Sequence, residues 1–301
     1  LFLVNEQPLT AHEDRDEKTL FQVQLTLICE AGFLPRPNRT GEAADHDLDA
    51  RMMDLHYRNR VEYVVGHNVA AEPLPAQSTA AGPSRVTRVR TRWIPRFEVP
   101  VVAPAQPDRV IVAMEELGRL DSEAAVRQAL TNLPAAYRAW LTEQRAEPFV
   151  ATRRADVRDT LLDDAEAACR RIEDGIELLA TDPQLRRAFC LANEAMALAA
   201  RRRSPARYQK DVPAWRLFQL AFVLLNLRGL ADPTSADRRV VELIFFPTGG
   251  GKTEAYLGCI ALTLLLRRMR GQGEPHHGLG VAVLLRYTLR LLTLDQLERA
   301  T

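Results

Sequence analysis

The sequence has few cysteines, and none of them are paired. Its 301 residues include four, Cys29, Cys169, Cys190 and Cys259, and no two form a CxxC spacing. A zinc site or a disulfide framework needs closer or repeated cysteine spacings, so neither is expected here. We therefore expect reduced core thiols, no structural zinc, and a cytoplasmic protein.

Long apolar runs and a strong net charge are also missing. The longest apolar stretches, such as residues 217–227 and 260–266, are too short to span a bilayer, and no signal peptide is visible. We expect no membrane partner. The net charge of +1 favours no class of partner, whereas a hydrophobic share of 47% is sufficient for a packed core. The sequence starts at Leu1 and stops at Thr301 within a helical pattern, so we expect a fragment.

The first third of the chain has the pattern of a β-rich region. Residues 19–30 alternate between apolar and polar side chains, which predicts a half-buried strand. Residues 61–69, 86–94 and 97–102 are further strand candidates, and prolines and glycines separate them. We predict a β-rich accessory domain over residues 1–112.

The middle of the chain changes to a helical pattern. Residues 122–130, 135–145 and 156–179 carry apolar side chains at helical spacing. Asp182 and Pro183 are suited to the N-cap and first position of a further helix that ends near residue 201. We predict a helical region over residues 113–203 and a linker at residues 201–210.

The last third alternates between helices and apolar strands. Helices are predicted at residues 215–227, 253–269 and 289–300, and strands at 240–246 and 280–285. Two buried strands joined through a helix form a parallel βαβ unit. The chain as a whole is therefore predicted to be mixed α/β, with the start of a parallel α/β domain at residues 204–301.

Three consecutive glycines, Gly249, Gly250 and Gly251, lie between the predicted strand and helix and are followed by Lys252 and Thr253. Glycines at this place let backbone N–H groups form a concave anion site, and the helix N-terminus adds positive charge. Lys252 can reach the β- and γ-phosphates, and the Thr253 hydroxyl can bind Mg²⁺. The alternative is a glycine-rich turn that only caps a helix.

The stretch FPTGGGKT, residues 246–253, has Phe246 where the P-loop pattern G-x-x-x-x-G-K-[ST] has its first glycine. It resembles the A-x-x-G-x-G-K-T motif of superfamily 2 helicases and translocases, with Phe in place of Ala. That resemblance implies a RecA-like fold and binding of ATP and Mg²⁺. Lys252 and Thr253 would be the catalytic residues, with Thr253 on the metal. The implied nucleotide-binding residues are Gln219, Thr248, Gly249, Gly250, Gly251, Lys252, Thr253 and Glu254.

Two flanking segments resemble further motifs of that superfamily. Gln219, in WRLFQLAF, matches the glutamine that reads adenine, although a polar-face glutamine is an equally open interpretation. Downstream, LLRYTLRLLTLDQ resembles the Ia motif that contacts nucleic acid, with Thr288, Arg290 and Gln296 as matching residue types at a slightly longer spacing. Thr288 and Arg290 would hold backbone phosphates. The alternative is an amphipathic helix with solvated arginines.

Several longer stretches resemble the helicase subunits of bacterial DISARM anti-phage defence systems, the DrmA family. They include DEKTLFQVQLTLICEAGF, VEYVVGHNVAAE, WRLFQLAFVLLNLRGLADP, FFPTGGGKTEAYLG and VLLRYTLRLLTLDQLERA. The resemblance implies ATP-driven DNA binding and remodelling in antiviral defence, with DNA and a second, DrmB-like subunit as partners. The acidic motif and the arginine fingers that hydrolysis requires are not found in the sequence, so we expect this piece alone to be inactive.

Other functions remain open. A P-loop kinase or signalling NTPase, or a scaffold that uses nucleotide only to lock an interface, would also carry the glycine loop.

Arg88, Arg90 and Arg92 share one face of a predicted strand, which could follow a DNA backbone or could be a solvated face. The basic cluster at residues 201–210 has the same two interpretations, and we assign no metal site to His276 and His277.

Overall fold

The structure is a computed structural model of the chain. It describes residues 4–8, 10–11, 16–36, 47–58, 62–67, 69–75, 86–94, 109–148, 152–244, 250–271 and 279–286. The chain forms two compact units, residues 1–101 and residues 102–301, which are described one at a time.

The first unit contains a three-stranded antiparallel sheet with the order β1-β3-β2. Its strands are β1 (Thr26–Ile28), β2 (Ala70–Pro75) and β3 (Val86–Arg92), and helix α1 (Leu48–His56) and a short 3₁₀ turn (Asp16–Lys18) accompany them. Strand β2 contains Pro73 and Pro75, which cannot donate backbone hydrogen bonds. Its place at the sheet edge accommodates both prolines.

The strand predictions in this unit are correct only in part. Strand β3 matches the prediction at residues 86–94, but β1 covers only three residues of the predicted 19–30 strand. Gln22 has a φ of 56°, which is incompatible with an extended strand at that point. In the predicted strand 61–69, the described residues 62–67 and 69 form no strand, and β2 follows them instead. The candidate at 97–102 lies outside the described residues.

One carboxylate pairs with two of the three arginines on this face of β3. Glu72 on the neighbouring strand pairs with Arg90 at 2.5 Å and with Arg92 at 2.6 Å, whereas Arg88 is exposed. The close contact with Arg92, followed by the hydrogen bond from Arg90, lowers the pKa of Glu72 against the opposing effect of burial. Two of the three arginines are therefore engaged in ion pairs within the sheet, and both interpretations of this face stay predictions.

The second unit is helical in its described part. Its helices are α2 (Met114–Leu117), α3 (Glu123–Leu130), α4 (Asn132–Ala146), α5 (Thr152–Thr181), α6 (Pro183–Arg203), α7 (Leu217–Ala231) and α8 (Lys252–Arg270), with short 3₁₀ turns at Arg207–Gln209 and Ala236–Arg239. The helix predictions that fall on described residues here are confirmed to within a few residues, whereas the helix predicted at 289–300 lies outside the described residues. Asp182 caps α6, because its carboxylate accepts hydrogen bonds from the backbone N–H groups of Gln184 and Leu185. No described helix is both long and apolar enough to cross a bilayer.

One hydrophobic cluster joins residues from all seven helices, α2 to α8, of the described part of this unit. Helices α5 and α7 approach closely at Gly175, where an added Cβ would lie 2.1 Å from the backbone oxygen of Leu224. Arg270, the last residue of α8, donates to the backbone oxygen of Ala231 at the end of α7 and to the Asp182 carboxylate at the start of α6. The helices before and after residue 203 therefore share one core.

The described residues do not form the predicted parallel βαβ unit. Residues 240–244 and 280–285 make no strand ladder, although α8 lies between them as predicted. A parallel strand exists only where a neighbouring strand accepts its hydrogen bonds, and the described residues provide none there. The side chains of Val241 and Leu243 are 93% and 84% exposed.

We expect Gly175→Ala to destabilise the second unit, whereas Gly229→Ala should not. At Gly175 the new methyl group would meet backbone, so α5 and α7 must separate at a cost of about 1–3 kcal/mol. At Gly229 on α7 the nearest atom to an added Cβ is 3.5 Å away, so the gain in helix propensity should dominate. Urea unfolding followed by far-UV circular dichroism would compare the two variants. Equal midpoints would contradict the close crossing of α5 and α7.

We expect the sheet to lose stability in acid through Glu72. A carboxyl group with a lowered pKa in the folded state stabilises that state above its ordinary value of 4.5, and this stabilisation is lost as the pH falls through the lowered folded value. Hydrogen exchange in peptides covering β3, compared at about pH 7 and about pH 3.5 after correction for intrinsic rates, would measure the loss. Glu72→Gln should remove most of this pH dependence. A wild-type profile retained in that variant would show that another group is responsible.

Candidate nucleotide-binding site

The candidate site is the start of helix α8. Lys252 is the first residue of the helix, and Thr253 and Glu254 complete the beginning of its first turn. The N–H groups of a helix's first residues have no acceptors within the helix, and together with the helix dipole they favour a negatively charged ligand. Two residues with the chemistry to bind phosphate and Mg²⁺ thus stand at the positive end of a 19-residue helix.

Gly251 makes the turn into this helix in the left-handed region, with φ 84° and ψ 29°. A residue with a side chain is disfavoured in that conformation. Space is also limited, because an added Cβ would lie 2.7 Å from the amide nitrogen of Gln219. The third glycine of the triplet is therefore required by its backbone conformation, and a side chain there would also displace the end of the Gln219 side chain. Gly250 before it is buried.

Two residues at the start of α7 hold the backbone of this turn, and we call Arg216 and Gln219 the α7 anchor. The Arg216 guanidinium donates from Nη1 to the backbone oxygen of Gly250 at 2.8 Å. The Gln219 amide donates from Nε2 to the backbone oxygen of Gly251 at 2.6 Å. The Gln219 amide oxygen also accepts from the backbone N–H of Arg216 at 2.7 Å, which closes the first turn of α7. Arg216 is exposed, whereas Gln219 is only 4% exposed.

Buried contacts of Trp215, the residue before the α7 anchor, fix where α7 begins. The indole N–H of Trp215 donates to the amide oxygen of Asn193 at 2.7 Å, and Asn193 itself donates to the backbone oxygen of Phe189. The indole ring also packs on Gly258 of α8, where an added Cβ would lie 2.7 Å from its edge. Helix α7 therefore starts from a residue that contacts both α6 and α8.

Charged contacts lie on both sides of the glycine turn. Arg203, the last residue of α6, pairs with Glu254 at 3.2 Å. On the other side, Arg171 of α5 contacts Glu242 at 2.5 Å and Asp237 at 3.4 Å. The chain entering the turn and the helix leaving it are thus both tied to neighbouring helices.

The segment after α8 is also held by an arginine. Arg267 donates to the backbone oxygens of Leu279 and Val281, and these bonds return the chain towards α8.

Cys259 lies on the same helix, and burial raises the pKa of its thiol to about 12. This thiol therefore stays protonated near neutral pH and is not a nucleophile.

The structure describes only part of the predicted site. It brings Gln219, Gly250, Gly251, Lys252, Thr253 and Glu254 together. Thr248 and Gly249, and the predicted nucleic-acid residues Thr288 and Arg290, lie outside the described residues. Their assignments stay predictions, as does the adenine-reading role of Gln219.

Sequence reasoning missed Arg216, Trp215 and Asn193. Trp215 and Arg216 directly precede the helix that carries Gln219, so their position next to that motif was a usable signal. Asn193 gave no signal of its own, because an asparagine within a helical pattern is ordinarily a solvated residue. Its burial at 2% becomes evident only when α6 and α7 are placed together.

No family model matches the sequence. The chain is similar to the "DISARM protein DrmA" of Bacillus paralicheniformis (strain ATCC 9945a / NCIMB 11709 / CD-2), with 31% identity over 324 residues. The alignment covers 99% of this chain and 27% of that protein, so the chain spans about a quarter of the length of the relative. The resemblance found in the sequence is thereby confirmed, and the chain is a relative of DISARM protein DrmA along nearly its whole length.

Proposed function

We propose that this chain carries the nucleotide-binding part of an ATP-dependent DNA helicase or translocase of superfamily 2 that acts in anti-phage defence. Two independent observations support the proposal. The chain is related to DISARM protein DrmA. It also presents a glycine turn, a lysine and a threonine at the start of a long helix.

The single observation that carries the proposal is the left-handed Gly251 directly followed by Lys252 and Thr253 as the opening residues of α8. A glycine turn that only capped a helix would need neither of these two side chains. The backbone N–H groups at the helix start, the lysine charge and the threonine hydroxyl together fit the triphosphate of ATP with its Mg²⁺.

We assign the residues of the site as follows. Thr248, Gly249, Gly250 and Gly251 supply backbone N–H groups around the phosphates, and Lys252 neutralises the β- and γ-phosphates. The Thr253 hydroxyl holds Mg²⁺, and bound Mg²⁺ supplies positive charge against the charge that develops on the transferred phosphoryl group. Glu254 lies next to these residues and pairs with Arg203.

ATP hydrolysis by the proposed motor also needs an acidic residue that orients the attacking water, and arginine fingers. No residue of this chain is assigned to either role, so turnover is proposed for the intact protein. We propose DNA as the substrate, with Thr288 and Arg290 on its backbone phosphates, and a second, DrmB-like DISARM subunit as a partner. A RecA-like parallel sheet is part of the same proposal.

The test is ATP hydrolysis by the intact protein with and without single-stranded DNA, beside Lys252→Ala. We expect turnover that DNA stimulates and that falls to background in the variant, because the lysine charge acts on the transferred phosphoryl group. Arg187→Ala, which removes an exposed positive charge on α6 outside the site, should retain wild-type turnover. Turnover indifferent to DNA would instead favour a signalling NTPase. ATP binding without turnover would favour a scaffold.

A second prediction concerns Arg290. We expect Arg290→Ala to weaken single-stranded DNA binding and DNA-stimulated turnover while leaving DNA-independent turnover intact. Loss of one phosphate contact should reduce the slope of log affinity against log salt by about 0.7. Fluorescence anisotropy over a series of salt concentrations measures that slope, with Arg187→Ala, an exposed arginine on α6, as the control. An unchanged slope would remove Arg290 from the DNA interface.

A further inference from the structure

We infer that Arg216 and Gln219 are positioning residues that orient the backbone of the phosphate site, and that Gln219 has this role instead of reading the base. The inference deepens the proposed function and rests on it. Its basis is the pair of hydrogen bonds from the α7 anchor to the backbone oxygens of Gly250 and Gly251.

The direction of these bonds sets the direction of two backbone donors. The peptide bonds after Gly250 and Gly251 are trans. In a planar trans peptide the C=O and the following N–H point to opposite sides. Because Arg216 holds the Gly250 oxygen, the N–H of Gly251 points away from Arg216. Because Gln219 holds the Gly251 oxygen, the N–H of Lys252 points away from Gln219. The α7 anchor thus turns two successive N–H groups to the side opposite α7.

A flexible glycine pair needs such an anchor. Glycine populates both signs of φ almost equally, so free glycines would spread their N–H groups over many directions. Holding both oxygens removes that freedom before an anion arrives. A preorganised donor binds more tightly than one that must be ordered on binding.

The environment of Gln219 argues against a primary role in base recognition. Its amide oxygen already accepts from the Arg216 backbone, and its amide nitrogen already donates to Gly251. An adenine-reading amide must offer a donor and an acceptor to the base edge. Here one of each is committed to the protein, and the side chain is 4% exposed. The one donor and the one acceptor that remain belong to an almost fully buried side chain, so little of the amide is accessible to a base.

The α7 anchor is itself held in place by contacts away from the phosphate site. Trp215, directly before it, is fixed by Asn193 of α6 and by the close approach of Gly258 of α8. Removing the Arg216 or Gln219 contacts should therefore loosen the glycine turn without displacing α7. A binding defect in these variants would then exceed any loss of folding.

The experiment measures binding of ATP, GTP and inorganic tripolyphosphate to the intact protein by calorimetry. Tripolyphosphate has no base, so it reports on the phosphate site alone. We expect Gln219→Glu to weaken all three ligands by the same factor, about tenfold, since the glutamate keeps the acceptor for Arg216 but loses the donor to Gly251. Arg216→Ala should do the same, and Arg216→Lys, which keeps a donor, should restore part of the affinity.

Gln128→Glu, an exposed site on α3, makes the same change of charge and should leave all three affinities unchanged. Melting temperatures confirm that each variant is folded at the temperature of the titration; if Gln219→Glu is not folded, the exposed Arg216 variants decide the question. Unchanged tripolyphosphate affinity in the Arg216 and Gln219 variants, with loss of discrimination between ATP and GTP, would overturn this inference in favour of base reading. Failure of the wild-type protein to bind any of the three ligands would overturn the proposed function, and this inference with it.

Discussion

The hydrogen bond from the Trp215 indole to Asn193 is the contact on which the candidate site depends. Both side chains are buried, so leaving either group unpaired would cost about 1–3 kcal/mol and would favour a different start for α7. Because α7 starts where it does, Gln219 falls within reach of the Gly251 oxygen, and Arg216 within reach of the Gly250 oxygen. The glycine turn is therefore placed by a polar contact between two helices that lie away from the turn in sequence. The small size of Gly258 is part of the same arrangement, since it lets the indole ring lie against α8.

Arginines organise the second unit more through backbone oxygens and carboxylates than as a basic surface. Arg270 links the ends of α8 and α7 to the start of α6, and Arg216 holds the glycine turn. A guanidinium suits this use because its fork of donors can reach two acceptors at once and remains charged at any physiological pH. In the first unit Arg90 and Arg92 share Glu72 in a similar way. A net charge of +1 with 40 basic residues is thus compatible with a structure rich in internal ion pairs.

The sequence predicted the helices well because their apolar spacing and their caps are local. Asp182 and Pro183, for instance, define the start of α6 without reference to any other part of the chain. The strands were predicted less well, because a strand depends on a partner that may be distant in sequence, and the alternation in residues 19–30 could not reveal the positive φ of Gln22. At the site, the types of the residues could be predicted, but the directions in which their side chains point could not. The sequence identified Gln219 as a polar residue near the glycine loop, but only the packing of α7 against α8 shows that its amide faces the loop backbone.

The site is organised in the described residues without a parallel sheet. In a P-loop the strand before the glycines ordinarily fixes one end of the loop and the helix after them fixes the other. Here the chain before the glycines is held by Arg171 through Glu242 and Asp237, and the glycines themselves are held by α7. The hydrogen bonds from α7 are directional, whereas apolar burial of a strand is not, so they specify the orientation of the Gly250 and Gly251 peptide groups. An anion site depends on that orientation, because a rotated peptide replaces a donor with an oxygen that repels the ligand. Side chains from a neighbouring helix can therefore set the chemistry of the turn, while the sheet of the proposed RecA-like fold would set its position.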